Sequence, residues 1–470
     1  MKQRIFFLII LLIPHFFKAY SQSSVDKNFD LRGSLLLDDR INITNGKLNW
    51  QEYRISLLPV YKINEKSKLF SDIWIRKLTP SSPFNHTTES VQIREAYIDL
   101  YGFLLKNLDL RIGRQRIAWG TADRLNPSDN INPWELEDFW DFGRHTPSNS
   151  IQAKYYWKKF TIIGVFTPKF TPSILPDQSW TKAFTPGLPE MWELPLPDGK
   201  LTKIILEPHS LTQTNQYPKE TLATSTYALK VATTFGKYSV SAGFVHQYSP
   251  LPLLTNLAIN GVLETLSTDF DIPNKVTATV NATQSYALRD IISLDFSGSI
   301  KDIGVWGETA LFVPYQSEKL SYLITVKTPL GTLSPKVPDK IISSSTPFLK
   351  YTLGFDYTFT KNIYLNFQYV HGFFHEGSKD NLTDWIVLNS EWKSENDRLK
   401  VALLNAAYQV TDWKNIGNSS TLFWMPEITY KPIDNVEIKA GIHHIWAGIQ
   451  SPFFSSRNNS DAYFKMKYSF

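Results

Sequence analysis

The sequence predicts an all-β fold: about 18 antiparallel strands, with 16 as the alternative count, closed into a transmembrane barrel, with one inward-folded loop carrying a short helix. Three observations predict it. Runs in which apolar and polar residues alternate recur almost everywhere along the chain. The breaks between alternating runs come in two sizes that follow one another in turn. The chain also ends in such a run, YFKMKYSF, with Phe464, Met466, Tyr468 and Phe470 on one face and Lys465, Lys467 and Ser469 on the other.

The chain opens with MKQRIFFLIILLIPHFFKAYSQ. A basic start (Lys2, Arg4), a short apolar stretch and Ala19-Tyr20-Ser21 describe a secretory signal peptide over 1–21, with an uncleaved anchor as the alternative. Residues 22–470 read as one outer-membrane barrel domain, since no linker or shift in composition divides them. Cysteine is absent, which excludes disulfides and thiolate chemistry. Removal of Lys2, Arg4 and Lys18 takes the formal charge from +5 to +2, so the basic pI gives no reason to expect nucleic acid.

Alternation begins at Phe29, Leu31, Gly33, Leu35 and Leu37, and resumes at Tyr53, Ile55 and Leu57 after the hairpin pair Asn45-Gly46. It recurs in LKYTLGFDYTF and VEIKAGIH. The short breaks are 64–67, Lys106-Asn107, Lys158-Lys159, Gly236-Lys237, Lys301-Asp302, Lys361-Asn362, 395–398 and 433–435. The other set lies at roughly 80–88, 120–148, 170–223, 249–285, 314–346, 374–382, 411–420 and 448–459, with Asn45-Gly46 as its one tight member. Each run offers the about ten residues that a tilted membrane strand needs. An even count places both ends on the periplasmic side. The long loops are expected to carry little secondary structure, and the proline-rich 170–223 is expected to be an irregular external loop.

Residues 91–145 carry the chemistry. Pairing residues whose numbers sum to about 210 sets Ile98 against Ile112, Leu100 against Leu110, and Asp99 against Arg111. The phase then flips, as bulges near Arg94-Glu95 and Gly113-Arg114 would cause. That flip places Val91, Ile93, Ile117 and Trp119 toward lipid and Arg94 opposite Arg116. The expected inward ladder is Arg94, Glu95, Asp99, Arg111, Arg114 and Arg116. The loop 120–148 adds Asp123, Arg124, Asp129, Trp134 and Glu135 as constriction candidates. INPWELEDF reads as a helix capped by Asn132, with Pro133 in its first position. Charges pairing across a solvated wall, and an outward loop, are the plain alternatives.

REAYIDL and LDLRIGRQRIAWGTADRLNPSDNINPWEL, within about 93–136, resemble the signature of a bacterial outer-membrane barrel family known as a domain of unknown function, similar to alginate-export barrels and phosphate-type porins. SLDFSGSIKDIGVWGETALF (293–312) is similar too. The resemblance implies a signal-bearing barrel that passes or exports a solute.

No G-x-S-x-G elbow, phosphate-cradling loop or H-E-x-x-H occurs. His371 and His375, four apart on a strand end, stand about 13 Å apart, too far for one metal. His443 and His444 point to opposite faces, and solvated or interfacial histidines are expected. The expectation is a channel without catalytic residues, metal or cofactor, lined by the ladder. A sealed surface-binding barrel and a lipid hydrolase are the alternatives. Its partners would be outer-membrane lipid and lipopolysaccharide, the barrel-assembly machinery reading the last strand, and, for an export pore, a periplasmic partner.

Overall fold

The structure, a computed structural model, describes residues 28–79, 89–123, 125–141, 143–176, 180, 192–195, 201–263, 274–329 and 331–470. The expected signal peptide and Arg124 lie outside the described residues.

Eighteen strands hydrogen-bond in chain order into one antiparallel sheet. They are Phe29–Asn42, Leu48–Asn64, Ser67–Thr79, Glu89–Leu100, Leu108–Gln115, Ser148–Trp157, Phe160–Thr167, Thr226–Phe235, Tyr238–Tyr248, Leu288–Ile300, Ile303–Pro314, Phe348–Thr360, Ile363–His371, Asp384–Lys393, two broken strands, Val436–Ala447 and Asp461–Ser469. The broken pair comprises Leu399–Ala402 with Ala406–Val410, and Ser420–Trp424 with Glu427–Ile433. The last strand pairs with the first, Met466 opposite Leu37, so the sheet closes and leaves no edge.

Closure extends to the final residue. Gly33 N–H donates to Phe470 O at 2.9 Å, and Phe470 N–H donates back to Gly33 O at 3.0 Å. The Phe470 ring covers Gly33, where a Cβ would sit 2.5 Å from the ring. The terminal aromatic therefore fills the space that the missing side chain leaves.

Period-two alternation sorts the two faces. On Leu288–Ile300, Ile292, Leu294 and Phe296 point outward and are exposed, while Ile291, Ser293 and Asp295 point inward and are buried. On the first strand Asp38, Arg40 and Asn42 are buried inside, and Ile41 is exposed outside. An apolar outer belt around a polar, charged interior inverts a soluble protein, and it is what a hydrocarbon surrounding requires. The eight short connections gather at one end and the nine others at the opposite end, as the alternation of break sizes requires.

The long-loop end departs from expectation. Strands from three different loops build a second sheet in the order Gly331–Leu333, Glu318–Thr328, Leu253–Val262, Asn274–Ser285, Leu201–Asn215, Trp192–Pro195, with Lys340–Ser343 beside Glu318–Thr328. Two of its pairings are parallel. One face buries Ile204, Leu257, Ile259, Val276, Val280, Ile324 and Val326. The long loops are thus not structureless, and 170–223 contains two strands, Trp192–Pro195 and Leu201–Asn215, where irregular chain is expected. Parallel partners lie far apart in sequence, so no turn signal announces them.

Candidate functional site: a strap across the barrel interior

The chain leaves the wall after Gln115 and rejoins it at Ser148, and residues 116–147 form a strap inside the barrel. Asn132 ties its two ends. Its Oδ1 accepts from Ile117 N–H at 2.6 Å, and its Nδ2 donates to Gln115 O at 3.2 Å and Thr146 O at 3.3 Å. Because that side chain is engaged, it caps no helix, and none forms over 131–139. The amides are drawn sideways instead: Trp134 N–H to Ser173 Oγ (3.1 Å), Glu135 N–H to Arg144 O (2.9 Å), and Leu136 N–H to Ile174 O (2.9 Å). This corrects the expected helix.

One half of the wall meets the strap with arginines. Arg40 bridges Asp38 and the strap's Asp138, its Nη1 donating to Asp138 Oδ1 at 2.7 Å and its Nη2 to Asp138 Oδ2 at 2.5 Å. Arg76 Nη2 donates to Glu137 Oε2 at 2.6 Å, and Arg94 Nη2 donates to Glu135 Oε2. Arg144, on the strap, holds the other Glu135 oxygen at 2.9 Å. All these groups are buried or nearly so. Trp74 lies under the guanidinium groups of Arg54 at 4.0 Å and Arg94 at 4.5 Å from its ring centroid. Burial by itself raises a carboxyl pKa, but Arg40 overrides it at Asp138, and Arg144 with Arg94 overrides it at Glu135, leaving both below the usual carboxylate range.

The opposite half uses other chemistry. Glu308 accepts from Ser128 Oγ (2.6 Å), Ala122 N–H (2.5 Å) and Thr121 N–H. Gly120, at φ +96°, permits this approach, for a Cβ there would stand 2.6 Å from Glu308 Oε1. Gln368 accepts from Asp123 N–H, and Thr352 and Gln247 donate to Leu125 O and Asn130 O. Beyond them Phe139, Trp140 and Trp180 pack with Val370, Phe373, Trp385, Phe423 and Phe453 in a buried cluster. Phe139 stacks on Trp180 at 3.7 Å between ring centroids, and Trp140 on His443 at 4.4 Å.

The residues expected from sequence fall into three groups. Asp99 and Arg111 pair in register at 2.6 Å, below the strap's anchorage. Glu95 accepts from Arg116 N–H at 3.2 Å, Arg116 reaches Asp129, and Arg94 reaches Glu135, so wall and strap are joined. Arg114 instead donates to Ile93 O and Arg94 O, Asp123 is exposed, and Trp134 lies between His145 (4.1 Å) and Phe374 (4.6 Å). The register irregularity opposite Asp72/Ile73 falls at Arg94, and Val91 and Ile93 do face outward.

Several expectations are corrected. The strand ends at Gln115, so Arg94 does not face Arg116 across a ladder. Ile117 and Trp119 are buried inside at 3% exposure, because the chain has already turned inward. His443 is buried and bonded to Asp461 at 2.7 Å rather than solvated. Sequence reading missed Arg40, Arg76, Glu308, Arg144 and Trp180. Inward parity on apolar-faced strands could have shown the first three.

Space remains on both sides of the strap. Toward the short turns a cavity of about 340 Å³ is lined by charges of both signs, among them Glu52, Arg54, Asp141, Glu427, Lys439 and Lys465. Toward the long loops lies another of about 410 Å³ with mostly apolar walls.

No family model matches the chain, and no curated protein does, so the family resemblance read over 93–136 gains no support. Among solved structures, a Salmonella typhi OmpF in complex with daunomycin is similar at 10% identity, covering 94% of this chain and 98% of that one, with a TM-score of 0.40. A mutant Rh. blastica porin is similar at 8% identity over 94% and 100%, TM-score 0.40. OmpT of Vibrio cholerae, an outer membrane protein, is similar at 9% over 95% and 99%, TM-score 0.38. Likeness this slight leaves function to be argued from the chain's own residues.

Proposed function

We propose that the protein is a passive solute channel of the bacterial outer membrane, throttled by the strap 116–147. The single observation that carries this reading is the set of wall-to-strap pairs Arg40–Asp138, Arg76–Glu137 and Arg94–Glu135 inside a closed, polar-lined barrel. These pairs neutralise the arginines that would otherwise make the interior a simple anion filter, and they fix the strap's height. Both ends of the chain would then lie on the periplasmic side. Phe464, Met466, Tyr468 and Phe470 would serve the assembly machinery as its recognition strand, and outer-membrane lipid and lipopolysaccharide would contact the belt.

A second reading, a sealed barrel that presents its outer sheet as a binding surface, draws on the strap's reaching both halves of the wall. Single-channel recording in planar bilayers separates the two. The channel reading expects a small current that grows several-fold when residues 121–147 are replaced by a short linker. No current from either form would overturn it and select the sealed barrel.

A further inference from the structure

The cavity toward the long loops contains a charge that nothing answers. Arg289 projects inward from the strand Leu288–Ile300, on the same face as Ile291 and Ser293, between Gln247 and Pro314 on the flanking strands. The inward arginines Arg40, Arg76, Arg94, Arg111 and Arg116 each pair with a carboxylate. Arg289 pairs with none among the described residues, and its enclosed Nε meets no acceptor. Its guanidinium instead stands 4.9 Å from the centre of the Phe312 ring, which stacks on Phe348 at 5.1 Å. Leaving such a group unpaired beneath a cavity costs stability, which the fold tolerates when a ligand is to supply the counter-charge.

We propose that this cavity binds a small organic monoanion, a carboxylate on an apolar body, with Arg289 as its counter-ion.

Apolar lining decides the body of the ligand. Leu136, Leu251, Leu254, Ile342, Phe348 and Phe374 face the space, whose volume of about 410 Å³ suits a compact molecule rather than a polymer. The other charges decide the head group. Lys350 spends its Nζ on the carbonyls of Phe373 and Phe374. Glu376 accepts from Phe373 N–H (2.7 Å), Thr383 N–H (3.0 Å) and Thr383 Oγ1 (2.5 Å), within its own turn. Burial, with Lys350 nearby, pushes His375 down to about 3, so it adds no charge at neutral pH. Asp380 lies exposed at the rim. One guanidinium remains available, which matches one carboxylate and falls short of a phosphate dianion.

The site stands whether or not the barrel conducts, and its test needs no current. The full chain, folded in neutral-detergent micelles, is titrated calorimetrically at pH 7 with 4-phenylbutanoate and with 4-phenylbutanamide, which has the same apolar body without the charge. The carboxylate is expected to bind at least tenfold tighter than the amide. Arg289→Gln should abolish that difference, and Arg289→Lys should keep most of it. Equal binding of the two compounds, no binding of either, or an undiminished preference in Arg289→Gln would each overturn the proposal. Should Arg289→Gln not fold, the comparison in the unaltered protein still decides. Binding without current would remove the channel and leave the site, whereas current without binding would do the reverse.

Discussion

The strap meets the two halves of the barrel by different chemistry. Toward the strands within 29–100 it offers carboxylates to arginines, one pair at a time, at fixed geometry. Toward the far half it offers backbone amides to Glu308 and aromatic rings to Trp385, Phe423 and Phe453. Ion pairs are directional and set where the strap lies, whereas ring packing is forgiving in direction and supplies burial. The difference teaches that position and stability are carried by separate residues, and mutation can separate them.

The largest effect is expected from Arg40→Ala. It strands the buried Asp138 and leaves Asp38 with Lys465 alone, at 3.3 Å, and breaking such a buried pair costs about 3–5 kcal/mol. Limited proteolysis should find the strap cleaved far faster than in the unaltered protein, and single-channel current should rise. Phe423→Ala should cost a similar or smaller amount, about 3–5 kcal/mol for a buried ring. Denaturant unfolding should register that loss while ion selectivity stays unchanged, since no charge moves. If selectivity shifts in Phe423→Ala, position and stability are not separable.

Glu308→Gln is milder. It keeps one acceptor for the amides of Thr121 and Ala122 and costs about 1–3 kcal/mol, read as faster hydrogen exchange at those two amides. The smallest effect is that of pH. Glu135 and Asp138 are held below their ordinary values, so their stabilisation is full above the unfolded value near 4, to within about a unit. It disappears only as pH falls through the lower folded values. Current should therefore be constant from pH 7 to 5, and a rise within that window would show that the clamps are weaker than their geometry implies.

Much of the barrel is legible in the sequence because lipid enforces a strict rule on every strand. Ile292, Leu294 and Phe296 must face out, and the parity of turns follows. The pairing of Asp99 with Arg111 is likewise a consequence of register. Once the chain leaves the wall, that rule lapses. INPWELEDF has the composition of a helix start, yet Asn132 and the amides after it find partners on other segments that no local pattern reveals. The outer sheet is hidden for the same reason, since its strands pair between loops. Of the strap's partners, Arg94 and Glu95 stand near it in sequence. Arg40 and Glu308 are brought to it only by the closing of the barrel.

On the channel reading, carboxylates on the strap hold it against wall arginines and so throttle the pore. The most direct test of that reading is the single-channel current and reversal potential of the unaltered protein beside Glu135→Gln/Glu137→Gln/Asp138→Asn, with folding checked by heat-dependent gel mobility. Several-fold more current and a shift toward anions are expected, because the three strap charges that offset Arg40, Arg76 and Arg94 are removed while only the wall's own Asp38 and Glu52 remain beside the first two. Equal currents with an unchanged reversal potential would contradict it.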